Sequence, residues 1–151
     1  MSSPYQEEHD LFRKTVRDFA EKELAPHVDE WEKDELFPNW VFERAGELGI
    51  FGAHYPEAVG GAGGDYWMSI VKAEELTRCG AAGLTMGLLV QSDMATPVIN
   101  DIGTDEQKAE FLKPALEGDK IAALGVSEPG AGSDVAGLRT TARLVGDEYV
   151  I

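Results

Sequence analysis

The densest concentration of reactive and polar residue types is Val126-Ser127-Glu128-Pro129-Gly130-Ala131-Gly132-Ser133-Asp134. It holds two hydroxyls, two carboxylates and two glycines, and it follows an apolar run that reads as a strand. Glycines let a backbone approach a ligand closely. Successive exposed N–H groups can form a nest for a phosphate, and the Ser127 and Ser133 hydroxyls add donors. On residue types alone, a polar turn between two strands accounts for this stretch equally well. It contains no P-loop, it does not continue into a dinucleotide-binding glycine fingerprint, and no nucleophile elbow occurs in the chain.

The remaining candidates for chemistry are weaker. His9, His27 and His54 have no partner at metal-ligand spacing, and His9 is expected on a solvated helix start. The single cysteine, Cys79, has no histidine near it in sequence and is expected to be an inert thiol. Glu74 and Glu75 are expected on a solvated helix face, where nothing selects either as a general base.

The elements that position these residues are mostly helices. Phe12, Val16, Phe19 and Ala20 recur at helical spacing, with Pro26 marking an end or a kink near Ala25. A second helix is predicted from Pro38, with Val41, Ala45 and Leu48 inward and Gly49 as its cap. A glycine-rich loop follows over 55–64, and Asp65 caps a third helix with Ile70, Val71 and Leu76 inward. Gly80 separates it from a fourth, over 81–100, that is apolar nearly all round and so belongs inside a bundle or against a ligand. Thr104-Asp105-Glu106-Gln107 matches a capping box. In the fifth helix that it opens, Phe111 and Leu112 are expected to be buried, and Pro114 to kink or end it. After Gly118 the pattern changes to strands, at 121–126, weakly at 139–144, and at 149–151 after a Gly146-Asp147 turn. A strand that stops at Ile151 without a following partner predicts that these residues belong to a longer protein.

Composition bounds the partners. The chain has 151 residues, 43% of them apolar, enough for one hydrophobic core. Thirteen basic against 28 acidic residues give a net charge of −15, and the pI is near 4.4. So acidic a surface repels nucleic acid and lacks the basic face of a membrane-surface helix. A small anionic ligand remains compatible with it, because a few local donors suffice. The longest uncharged run, 79–92, is too short and too mixed to span a bilayer. One cysteine and no apolar or basic leader suit a cytoplasmic protein.

The stretch from Val126 to Asp134 resembles the family signature of the acyl-CoA dehydrogenases, and the match is complete over those positions. Pro56-Glu57 followed by Val59-Gly60-Gly61 resembles that family's loop between early helices, and 103–108 resembles its capping segment. Trp31-Glu32-Lys33 and Gly63-Gly64-Asp65 look closest to long-chain or short/branched-chain members. The resemblance implies a mainly α chain: an N-terminal helical domain over 1–118, then the first strands of a truncated, β-barrel-like middle domain over 119–151. It implies an oxidoreductase that converts an acyl-CoA thioester to the trans-2-enoyl-CoA, with FAD as hydride acceptor, in fatty-acid or branched-chain breakdown. It also implies a homotetramer and an electron-transfer flavoprotein as electron partner.

By the same resemblance, Leu124, Val126 and Ser127 line the flavin ring, and Gly132 and Ser133 lie near its pyrophosphate, with Ser133 also near the substrate. Leu124 stands where many relatives carry an aromatic residue, and Ser127 where threonine is commoner. Met86, Val90 and Met94, at i, i+4 and i+8, are candidates to face the acyl chain, with plain core packing as the alternative. The family's catalytic glutamate falls on no residue here. The 151 residues alone are therefore expected neither to turn over substrate nor to hold flavin tightly. Other expectations on the same scaffold are an acyl-CoA oxidase, a flavin monooxygenase, or a non-catalytic helical assembly domain.

Overall fold

The computed structural model describes residues 4–151. Helix α1 spans Glu7–Asp18 and buries Val16 against the interior. Where an end or a kink is expected near Ala25, the chain stays helical but changes its form. The chain continues through a π turn, Phe19–Leu24, and a 3₁₀ turn, Ala25–His27, into α2, Val28–Asp34. Pro26 sits in the first turn of that 3₁₀ segment, where a missing N–H is tolerated. Phe19, Ala20 and Leu24 all reach the core.

Helix α3, Trp40–Glu47, begins after Pro38, whose carbonyl accepts the Val41 N–H at 3.2 Å. Val41 and Ala45 are buried as expected, whereas Leu48 is half-buried. The glycine-rich loop then doubles back on itself. A Cβ at Gly61 would stand 2.1 Å from the Tyr55 carbonyl oxygen, so only glycine fits there. Helix α4, Tyr66–Leu76, starts where Asp65 Oδ1 accepts the Trp67 N–H at 2.8 Å. Val71 and Leu76 are buried and Ile70 is half-buried.

The α1–α4 seam corrects two expectations. His9 is 1% exposed rather than solvated. Its Nδ1 accepts the Gln6 N–H at 2.8 Å, which leaves Nε2–H to donate to Asp65 Oδ1 at 2.9 Å. Glu75 is likewise 1% exposed and takes hydrogen bonds from Arg13, Arg17 and Arg78. Periodicity placed these polar residues outside the apolar stripe, but the two helices bring complementary groups face to face there.

The predicted helix over 81–100 is three pieces: α5, Ala82–Leu89; a π turn, Val90–Ala95; and α6, Pro97–Ile102. Leu84, Leu88 and Ala95 are buried. Helix α7, Asp105–Gln107, carries the capping box: Thr104 Oγ1 accepts the Gln107 N–H at 3.3 Å, and Gln107 Oε1 accepts the Thr104 N–H at 2.9 Å. Thr104→Ala is expected to lower unfolding free energy by about 1 kcal/mol, checked by urea denaturation.

A π turn, Lys108–Leu112, leads into α8, Lys113–Leu116, so Pro114 lies in a first turn and does not end the helix. Leu112 is fully buried but Phe111 is 44% exposed, contrary to expectation. Adjacent helical residues point about 100° apart, so the core receives only one of the two.

Beyond Gly118 the strand expected at 121–126 does not form: these residues pair with no strand among the described residues. The expected strands at 139–144 and 149–151 shorten to β1, Arg143–Val145, and β2, Glu148–Val150. They form a two-residue hairpin with Leu144 opposite Tyr149, so the final strand does have one partner. Both strands are exposed throughout. Among the described residues no helix is long and apolar enough to cross a membrane.

Candidate functional site

Two features converge on the stretch after α8. The first is the π turn Val90–Ala95, whose Gln91 is fully buried. Gln91 Nε2 donates to the carbonyls of Ala115 (2.8 Å) and Lys120 (2.7 Å), and its Oε1 accepts the Ala122 N–H (2.7 Å). Ala122 and Ala123 border a small cavity of about 200 Å³ with Ala95 and Ile99. This is the point where the exposed segment leaves the helical body.

The second feature is the segment itself. Leu124, Val126, Ser127, Gly132 and Ser133 all lie on it and all are exposed. The Ser127 and Ser133 side chains make no hydrogen bond to the described residues. The loop closes through paired Glu128 and Ala131 backbone groups, N to O at 2.9 and 3.1 Å. Glu128 is a structural carboxylate: it accepts the Thr140 hydroxyl and the N–H groups of Arg139 (2.9 Å) and Thr140 (2.8 Å). These bonds, the Thr140 hydroxyl foremost, hold its carboxyl below the usual range. A Cβ at Gly130 or Gly132 meets nothing within 4 Å, and neither glycine has a positive φ. Their lack of a side chain therefore serves no contact within residues 4–151.

The three acyl-facing candidates lie on one helix face that points away from the core. Met86 is 56% and Met94 51% exposed, and Val90 is half-buried. Within residues 4–151 neither methionine packs into the core. Met86 borders an apolar groove of about 410 Å³ with Thr77, Gly80, Ala82, Thr85 and Leu89.

Sequence reasoning missed what stands behind this face. Lys72 is fully buried; its Nζ donates to Ser92 Oγ at 2.6 Å and pairs with Asp93 Oδ2 at 2.8 Å. Burial pulls the Lys72 ammonium below its ordinary value despite Asp93. Tyr55 Oη donates to the Ser92 carbonyl at 2.7 Å, and Thr96 Oγ1 to the Gln91 carbonyl at 2.7 Å. The π turn, a form often found at functional sites, is thus held by the side chains of Lys72, Tyr55 and Thr96. The available signal was polar residues within apolar helices: Lys72 after Ile70-Val71, and Gln91 after Leu88-Leu89-Val90.

Cys79 is buried beside Thr85, as an inert thiol should be. Among the described residues, no cluster of three or more potential metal ligands occurs.

Residues 6–119 match the family described as acyl-CoA dehydrogenase, N-terminal domain. The chain belongs to the acyl-CoA dehydrogenase family. It is 41% identical over 148 residues to a 3-(aryl)acrylate reductase of Clostridium sporogenes, covering 97% of this chain and 39% of that protein. It superposes on an acyl-CoA dehydrogenase of Geobacillus kaustophilus with a TM-score of 0.89 and 38% identity, over 99% of this chain and 39% of the other. An acyl-CoA dehydrogenase of Bacillus anthracis complexed with FAD matches with a TM-score of 0.87 and 35% identity, over 97% and 25%. The chain spans about two fifths of the length of the acrylate reductase and the Geobacillus protein. The mainly helical architecture is that of the acyl-CoA dehydrogenase N-terminal domain. Residues 126–134, which resemble the family signature, lie beyond the residues that the family model matches, on a chain that superposes on an FAD-bound relative.

Proposed function

We propose that these residues are the N-terminal part of a flavin-dependent enzyme that removes hydrogen from Cα and Cβ of an acyl-CoA thioester. The observation that carries this reading is the signature loop, with two glycines open to solvent and two serine hydroxyls unused by the fold. That donor set fits FAD: small residues admit a close backbone approach, and hydroxyls and N–H groups meet ring and pyrophosphate oxygens. When bound, FAD supplies the hydride acceptor.

In this reading Leu124 and Val126 give an apolar wall for the ring, and Ser127 donates to a ring heteroatom. Gly132 and Ser133 hold the pyrophosphate end, Ser133 also meeting the CoA portion of the substrate. Met86, Val90 and Met94 form one wall of the acyl site and exclude water from it. No residue of this chain is assigned as the base that takes the α-proton. Residues 1–118 form the helical domain and 119–151 open the middle β-domain. A homotetramer, cytoplasmic location, fatty-acid or branched-chain breakdown and an electron-transfer flavoprotein as acceptor belong to the same reading.

The test is anaerobic visible spectroscopy of the full-length protein. Bound flavin that bleaches on adding an acyl-CoA between butyryl and palmitoyl is the expected result. Absence of bound flavin, or bound flavin indifferent to every acyl-CoA, rejects the proposal. Rapid reoxidation by oxygen with peroxide release assigns an oxidase instead. Reoxidation of the reduced flavin by an aryl acrylate assigns the direction named for the Clostridium sporogenes relative.

A further inference from the structure

A glutamine amide offers two N–H donors and one carbonyl acceptor. Gln91 spends all three on the backbone of one short stretch: the Ala115 carbonyl at the end of α8, and the Lys120 carbonyl and Ala122 N–H beyond it. Its own turn is fixed from behind by Thr96, Tyr55 and Lys72, through the Gln91 carbonyl, the Ser92 carbonyl and the Ser92 hydroxyl. Val90 and Met94 occupy the same turn on its outer side. Ala122 lies two residues before Leu124 and five before Ser127. An extended chain advances about 3.3 Å per residue, so Ser127 stands at most about 17 Å from the clamp. No strand pairs with 121–126 among the described residues to fix it otherwise.

From this juxtaposition we infer that Gln91 is a positioning residue: it sets the flavin-facing segment 124–127 against the turn that carries Val90 and Met94. Flavin affinity and turnover then depend on an amide that touches neither flavin nor substrate. The inference rests on reading 124–133 as the flavin wall.

The test is Gln91→Met in the full-length protein, which keeps length and volume and removes every polar atom. Thr104→Ala serves as a control for simple loss of stability. Gln91→Met is expected to weaken flavin binding about tenfold and to lower kcat, with KM for the acyl thioester changed less than about threefold. Amide hydrogen exchange at 122–127 should accelerate by about tenfold or more. Thr104→Ala should leave all of these unchanged. If Gln91→Met does not fold, Gln91→Asn keeps the amide but shortens it by one methylene, and a smaller shift of the same pattern is expected. Unaltered exchange at 122–127, or flavin affinity that falls only in step with stability as in Thr104→Ala, overturns the inference. Should the unmodified protein bind no flavin, the proposed function falls while the exchange measurement still decides the clamp.

Discussion

Glu75→Gln should cost about 3 kcal/mol of unfolding free energy at pH 7, read by urea denaturation. The Glu75 carboxylate is 1% exposed and accepts from Arg13 (2.6 Å), Arg17 (2.8 and 3.1 Å) and Arg78 (2.5 Å). Removing one partner of a buried ion pair typically costs about 3–5 kcal/mol, because the opposite charge is left uncompensated. Here the lower end applies. The three arginines are 20%, 40% and 45% exposed, so water reaches each of them. Glu74 and Glu21 also remain beside Arg13 and Arg78.

The pH dependence follows from the same geometry. Burial alone would raise the Glu75 carboxyl, but the three arginines outweigh it and hold it down to about 2. A carboxyl depressed in the folded state stabilises it fully above the unfolded value near 4.5, and that contribution is lost as pH falls through about 2. The gap between the unmodified protein and Glu75→Gln should therefore be constant above pH 5 and shrink steadily below it. A gap that persists unchanged at pH 2 would show that packing, not charge, sets the cost.

Gly132→Val should weaken flavin binding about 5- to 150-fold, the equivalent of the 1–3 kcal/mol that overpacking a filled site usually costs. Folding stability should move by less than about 0.5 kcal/mol, as for other exposed positions. A Cβ at Gly132 meets nothing within 4 Å and the residue has no positive φ, so the fold itself has no objection to a side chain there. Gly130 is equally open but carries no assigned contact, so Gly130→Val is the matched comparison and should have the smaller effect. Flavin fluorescence titration and thermal unfolding of both variants separate the cases. Equal flavin affinity in Gly132→Val and the unmodified protein would remove Gly132 from the flavin wall.

Much of the helical scaffold was legible in the sequence because its signals are local. The Asp65 and Thr104 caps, the Gly49 and Gly80 stops and the glycine-rich loop each depend on residues within a few positions of one another. The Gly146-Asp147 hairpin turn is of the same kind. The signature loop was legible for a different reason, since its run of residue types is nearly contiguous and resembles a family motif, whereas its glycines have open space around them and its serine side chains make no hydrogen bond within the described residues.

Burial of polar groups was not legible. His9, Lys72, Glu75 and Gln91 sit in sequence contexts that suit solvent or an apolar face equally. Each is buried only because another element supplies its partner: Asp65 for His9, Asp93 for Lys72, the α1 arginines for Glu75, and the turn after α8 for Gln91. The choice between Phe111 and Leu112 likewise waited on where the π turn before α8 meets the core.

The sequence by itself determined the helical class, its caps and turns, and the family, because these depend on neighbours in the chain or on a nearly contiguous motif. Only the tertiary structure decided which polar side chains leave water, and that Gln91 joins the turn carrying Val90 and Met94 to the stretch that leads into the signature segment. A buried polar group is stable only opposite its partner, and that pairing is a property of packed elements rather than of residue order.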